Sequence, residues 1–215
     1  MVINTNVEAA RTANNLNVSQ NNLAKSLSRL SSGQKIINPS DDAAGLAVSS
    51  RLKAQIKRLD SALSNVINGV SFTQTQDGFL KTVDKALRRM GELAMLARDA
   101  TKSADDRNLY DKEFQQLKDY IDDTTGKEFN GVDLFTSDNI DVTIDSEGDT
   151  FAMPGIDLTT ASYANAIAAG VGLTSTPFAA DALTKVSEAI SRVAIDRAQL
   201  GAVQSRLNFT NDQLS

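Results

Sequence analysis

Three pairs of adjacent carboxylates, Asp41-Asp42, Asp105-Asp106 and Asp122-Asp123, are the residues of this chain best equipped for acid–base chemistry. Two carboxylates can divide a proton transfer between them when they oppose each other across a cleft and their surroundings separate their pKa values. Adjacent pairs at helix beginnings have a simpler use, since negative charge is favoured beside the partial positive charge of a helix N-terminus. The chain has no His and no Cys, which removes Ser–His and Cys–His nucleophile pairs, imidazole or thiolate metal sites, and any disulfide framework. The stretch DSEGD, 145–149, superficially resembles a calcium loop but lacks the alternating oxygen ligands and the terminal bidentate Glu. Its alternating flanks predict a hairpin turn instead. No glycine-rich phosphate cradle precedes a helix. These residues imply no enzyme, no cofactor and no metal.

Composition narrows the remaining classes. Of 215 residues, 41% are hydrophobic but only 5% aromatic, with no Trp, so an elongated molecule closed by Leu, Ile, Val and Ala is expected. A net charge of −5 argues against a nucleic-acid or anionic-membrane surface, which needs clustered Lys and Arg. The start, MVINTNVEAARTANNLN, lacks the basic head and apolar run of about 7–15 residues that mark a cleavable signal peptide. No window approaches the roughly 20 apolar residues of a membrane span.

Hydrophobic periodicity then supplies the elements. Ala9, Ala13, Leu16, Leu23, Leu27 and Leu30 make a narrow amphipathic stripe interrupted at Gln20, and Ser31-Ser32-Gly33 is a stop signal. Pro39 bars continuation, Ser40 offers an N-cap, and Asp41 and Asp42 suit the positive end of a new helix. Leu52, Ile56, Leu59, Leu63, Val66 and Val70 begin a second stripe; Leu80, Val83, Leu87, Met90, Ala94 and Ala97 resume it one residue out of register. This predicts one long helix over 41–100 with a weak middle around Gly69, Asp77 and Gly78, two helices being the alternative. Tyr110, Phe114, Leu117 and Ile121 mark a short helix over 105–125. A β-hairpin region follows over 129–160, then an irregular segment over 160–177 with room for one helical turn. Val186, Val193, Leu200, Leu207 and Leu214 hold one heptad position of a helix over 178–215, with Leu183, Ile190, Arg197, Gln204 and Asn211 as companions. The fold class is mainly α, an elongated antiparallel coiled-coil-like bundle of long helices with a small β-hairpin region. Residues 1–40 form a first domain and 41–215 a second. Such stripes favour a structural or assembly protein over a binding module.

The stretches SSGQKI…NPSDDAAGLAVS, RRMGELAMLA, FNGVDLF and RAQLGAVQSRL resemble bacterial flagellin, the subunit of the flagellar filament, across residues 1–135 and 180–210. A hook–filament junction protein or another coiled-coil flagellar adaptor is the near alternative. The resemblance implies self-assembly into a motility filament, export through the flagellar type III apparatus with its chaperone and without a cleaved signal, and an extracellular location. It implies that residues 1–40 are an inner-tube helix with its connector (Pro39, Ser40, Asp41, Asp42), and the remainder a rod. It also implies a candidate surface for the Toll-like receptor for flagellin at Arg89, Glu92, Leu93 and Glu113; Gly91 departs from the pattern, where a large residue is usual. Relative to the family the chain is C-terminally truncated, stopping before the helix that pairs with the N-terminal one. Residues 1–35 are therefore expected to be disordered in a free monomer, or ordered only by a binding partner or filament contacts.

Overall fold

The computed structural model describes residues 6–215; the opening VINT of the sequence lies outside the described residues. The chain divides into two compact units, residues 1–57 and 58–215. The boundary falls inside the long helix and not at Pro39, and Asp41 of the connector is tied back to Lys25 and Arg29 of the first helix.

In the first unit, α1 (Val7–Ser32) begins at Asn6, whose side chain accepts from the Ala9 amide at 3.1 Å, and ends at Gly33, whose φ of 66° is a left-handed stop. None of its residues is buried, and Leu16, Leu23, Leu27 and Leu30 are all exposed. Pro39 sits in a turn closed by the Asp41 amide donating to Asn38 O at 2.9 Å. The cap of α2 (Ala43–Arg98) is not Ser40. Asp42 takes that role: its Oδ1 accepts from the Gly45 amide at 2.8 Å, and its carbonyl accepts from Leu46. Asp41 does not serve the helix end either. Its carboxylate faces α1, accepting from Lys25 and lying 3.5 Å from Arg29 Nη2. A Cβ at Gly45 would strike the capping Asp42 carboxylate, so a larger residue there would make that side chain shift from its place over the helix start.

In the second unit the remainder of α2 runs antiparallel to α5 (Thr176–Leu214), as three contacts show: Gly69 beside Leu207, Asp77 with Arg197, and Gly91 beside Val186. Among the buried positions of α2, Ala62, Val66, Gly69, Thr73, Gln76, Leu80, Val83, Leu87, Met90, Ala94 and Ala97 follow an unbroken alternation of fours and threes, and Phe72, Ala86 and Leu93 are buried beside that stripe. The helix is therefore single, and its seam does not slip. The middle only looked weak because Gly69, Thr73 and Gln76 hold seam positions without being apolar. On α5 the leading positions Val186, Val193, Leu200 and Leu207 are buried as expected. Their companions lie one residue earlier than the apolar pattern suggested: Ala182, Ala189, Asp196 and Val203 are buried, whereas Leu183 and Ile190 flank the core. The buried companions are smaller than their flanking neighbours, Ala182 beside Leu183 and Ala189 beside Ile190.

Helix α3 (Ala104–Thr125) opens with a capping box in which Ser103 Oγ accepts from the Asp106 amide at 3.1 Å and Asp106 accepts from the Ser103 amide at 3.0 Å. Strands β1 (Glu128–Phe129) and β2 (Val132–Asp133) form a small hairpin, and β3 (Ile140–Thr143) pairs antiparallel with β4 (Thr150–Met153), Ile140 opposite Met153. The DSEGD turn is held by Asp145, whose Oδ1 accepts from the amides of Glu147, Gly148 and Asp149 at 2.8–2.9 Å. The segment expected to be irregular contains a short α4 (Ala161–Ile167).

Helix glycines offer a direct check on this packing. A Cβ would meet nothing within 4 Å at Gly78 or Gly201 and only Val186 at 3.8 Å at Gly91, but would press Val142 at 3.3 Å at Gly69. Gly78→Ala, Gly91→Ala and Gly201→Ala are each expected to raise stability in urea by about 0.5–1 kcal/mol, the helix cost of glycine. Gly69→Ala is expected to forfeit that gain to crowding.

Candidate functional site

The best-formed polar cluster on the second unit sits where α2 and α3 run side by side. Arg107 fixes their approach by donating to Ala97 O at 2.8 Å and Asp99 O at 3.0 Å, which satisfies the carbonyls that end α2. The antiparallel pair this creates brings Arg89 opposite Glu113 and, further along, Thr82 opposite the Tyr120 hydroxyl at 2.8 Å. Arg89 grips Glu113 with two hydrogen bonds, Nε to Oε1 at 2.6 Å and Nη2 to Oε2 at 3.1 Å, and donates Nη1 to Glu92 at 3.0 Å. This fork is the geometry in which guanidinium and carboxylate match best. Bonding to Glu113 and then Glu92 holds Arg89 firmly charged, and Arg89 in turn pulls the Glu113 carboxyl below its usual range. All three side chains are about half exposed, so the cluster presents a fixed charge pattern rather than a reactive pocket.

Leu93 does not join it. The four-residue spacing from Arg89 suggested a shared face, but Leu93 is fully buried in the core. The coiled-coil seam turns it inward, beneath the surface that Arg89, Glu92 and Glu113 occupy. Gly91 is half-buried against Val186 of α5. The connector residues Pro39, Ser40, Asp41 and Asp42 belong to the first unit and form the turn and cap described above. Among the described residues no group of His, Cys, Asp or Glu could hold a metal, and no helix is long and apolar enough to cross a membrane.

Three polar arrangements escaped the sequence reading. In the α5 seam Asp196 is buried and accepts from the Tyr163 hydroxyl of α4 at 2.6 Å. Arg192 Nε lies 3.0 Å from Asp196 Oδ1 but directs its hydrogen to Oδ2 at 3.3 Å. Burial and the neighbouring carboxylate push the Tyr163 phenol far up, so it stays a donor. Asp77 of α2 pairs with Arg197 of α5 at 3.0 Å and with Lys81. Burial pushes the Asp77 carboxyl up, but the bonds from Lys81 and Arg197 outweigh it and leave the carboxyl lowered. On α3, Asp111, Gln115 and Lys118 line one face and clasp the loop between α4 and α5. Asp111 accepts from the Leu173 amide at 2.6 Å, Gln115 donates to Val171 O, and the buried Lys118 ammonium donates to Ala168 O at 2.8 Å and Val171 O at 3.0 Å. A signal for the first two was present, since Asp196 and Arg197 break an otherwise apolar heptad.

Removing the Tyr163 hydroxyl leaves the buried Asp196 carboxylate with Arg192 but without its shortest hydrogen bond, so Tyr163→Phe is expected to cost about 1–3 kcal/mol in urea unfolding. Arg89→Ala, on an exposed pair, is expected to leave the melting temperature nearly unchanged. The lowered folded pKa of Asp77 contributes stability above its ordinary value of 3.8 and loses it as pH falls through the folded value. Asp77→Asn is therefore expected to be less stable than the parent at neutral pH, with the difference closing on acidification below pH 3.8.

Residues 3–139 match the family model described as the bacterial flagellin N-terminal helical region. A flagellin of Halalkalibacterium halodurans is 35% identical over 216 residues, an alignment spanning 98% of this chain and 78% of that one. The phase 1 flagellin of Salmonella naestved is 40% identical over 139 residues, which cover 64% of this chain but 28% of the Salmonella protein. The crystal structure of Bacillus cereus flagellin superposes with a TM-score of 0.64 at 28% identity, over 71% of this chain and 89% of that one. A Vibrio parahaemolyticus protein described as flagellar hook-associated gives a TM-score of 0.66 at 16% identity, a likeness of fold alone.

Proposed function

The chain belongs to the bacterial flagellin family and is a structural subunit of the flagellar filament rather than an enzyme, and from that premise we propose how its two units divide the work. The first unit supplies the contacts made only on assembly. Its 26-residue α1 carries a leucine stripe of which no residue is buried; that observation carries the reading. An isolated helix with so narrow a seam is marginal in water and gains its stability from packing. In the filament, copies of the chain bury Leu16, Leu23, Leu27 and Leu30. The second unit has its own core and acts as the rod, with the Asp42-capped start of α2 setting where the rigid helix begins. Before assembly the chain leaves the cell unfolded through the flagellar export apparatus, escorted by a chaperone and keeping its N-terminus. The hook-junction alternative is less well supported, because the hook-associated neighbour shares only 16% identity.

Labelled chain mixed with sonicated flagellar seeds and viewed by negative stain is expected to enter long tubular filaments. The double change Leu23→Asn and Leu27→Asn is expected to abolish incorporation while leaving the melting temperature of the second unit unchanged. Discrete complexes of fixed size from the parent chain would instead support the adaptor reading.

A second activity rests on the α2–α3 surface. The exposed fork of Arg89, Glu92 and Glu113 is a preorganised charge pattern, with buried Leu93 serving as packing beneath it. It presents the contact surface for the Toll-like receptor for flagellin. A reporter-cell assay with monomer is expected to respond to the parent and weakly to Arg89→Ala; silence from the parent would end this reading.

A further inference from the structure

The chain contains two Asn-Gly dipeptides, Asn68-Gly69 and Asn130-Gly131, and the fold puts them in opposite surroundings. In this dipeptide the glycine amide nitrogen can reach the asparagine side-chain carbonyl with no Cβ to obstruct it. Asn130 and Gly131 are the central residues of the β1–β2 hairpin, with φ values of 52° and 78°. Positive φ at both is the signature of a type I′ turn, which is why Asn-Gly is chosen there. Both residues are exposed, and a Cβ at Gly131 would meet nothing within 4 Å, so the turn stands open to water. The hairpin that holds it is short. It has two residue pairs, Phe129 with Val132 and Glu128 with Asp133, and the second sets two carboxylates directly opposite each other. Opening such a turn therefore takes little free energy. Gly69, in contrast, is buried in the interior of α2 with its amide in the helical ladder. A Cβ there would meet Val142 at 3.3 Å and Leu207 at 3.5 Å.

We propose that Asn130 is a site of spontaneous, succinimide-mediated deamidation, and that the fold protects Asn68 from the same reaction. The Gly131 amide nitrogen attacks Asn130 Cγ; the new N–Cγ bond closes a five-membered imide, the Cγ–Nδ2 bond breaks, and ammonia leaves with the transferred proton. Water then opens the ring at either carbonyl. Cleavage at Cγ leaves aspartate, and cleavage at the backbone carbonyl carbon leaves isoaspartate, in which the main chain runs through the former side chain. The net change is one water consumed and one ammonia released, with no oxidant or reductant. Either product adds a negative charge beside Glu128 and Asp133. Isoaspartate also lengthens a two-residue turn whose flanks are anchored. Phe129 stacks edge-on against Phe72 at 5.8 Å, the Leu134 amide donates to Lys127 O at 2.9 Å, and Leu134 O accepts from the buried Gln76 at 2.6 Å. The reaction thus acts as a slow, irreversible loosening of the hairpin against α2.

The test is peptide mapping by mass spectrometry, resolving aspartate from isoaspartate, on the full chain aged in mildly alkaline buffer with and without urea. In native protein the Asn130 peptide is expected to convert roughly tenfold or more faster than the Asn68 peptide, because core helices open far more rarely than short turns. In urea the two rates are expected to converge. Equal native rates, or a native Asn130 rate suppressed relative to urea as strongly as that of Asn68, would overturn the proposal.

Discussion

Everything in the second unit is referred to one constraint, the antiparallel seam between α2 and α5. Its register is fixed by matched pairs along its length, Gly69 under Leu207, Asp77 with Arg197, and Gly91 against Val186. Apolar burial drives the association without choosing among registers spaced a heptad apart; a charged pair at one level makes the choice, since slipping would separate Arg197 from Asp77 and leave Asp77 with Lys81 of its own helix. The smaller elements then have defined places. Val142 of the β3–β4 hairpin fills the space that Gly69 leaves, and Arg206 of α5 stacks 4.0 Å over the Phe151 ring. Helix α4 is pinned by Tyr163 reaching the one carboxylate inside the α5 seam.

The same seam explains what could be read beforehand. Val186, Val193, Leu200 and Leu207 recur at a strict seven-residue interval and announce α5. Leu80 through Ala97 do the same for the second half of α2. Legibility failed where seam positions are not apolar. Thr73 can lie in the core because its hydroxyl bonds back to Val70 O at 2.8 Å, and Gln76 because its amide reaches Leu134 O. Neither bond is visible in a hydrophobicity pattern. The companion positions of α5 were misplaced for a related reason, since Leu183 and Ile190 outweigh Ala182 and Ala189 in apolar character although it is the alanines that are buried.

At the polar sites, residue type was a better guide than position. Arg89, Glu92 and Glu113 were recognisable and come together as a surface fork, whereas Leu93 points inward because it follows Met90 by a single helical turn on the core side. The cap moved from Ser40 to Asp42 because a turn centred on Pro39 consumes Ser40 and delays the helix. The β1–β2 hairpin carried an Asn-Gly signal, but its two-residue strands are too short for alternation to show.

We propose that the two units differ in how they are stabilised, the second by its own core and α1 by assembly. Hydrogen exchange of free monomer and of filaments, followed peptide by peptide, tests this most directly. Fast exchange is expected across residues 7–32 in the monomer and strong protection there in the filament, with residues 62–97 and 179–207 protected in both. Protection of residues 7–32 in the dilute monomer equal to that of α5 would contradict it.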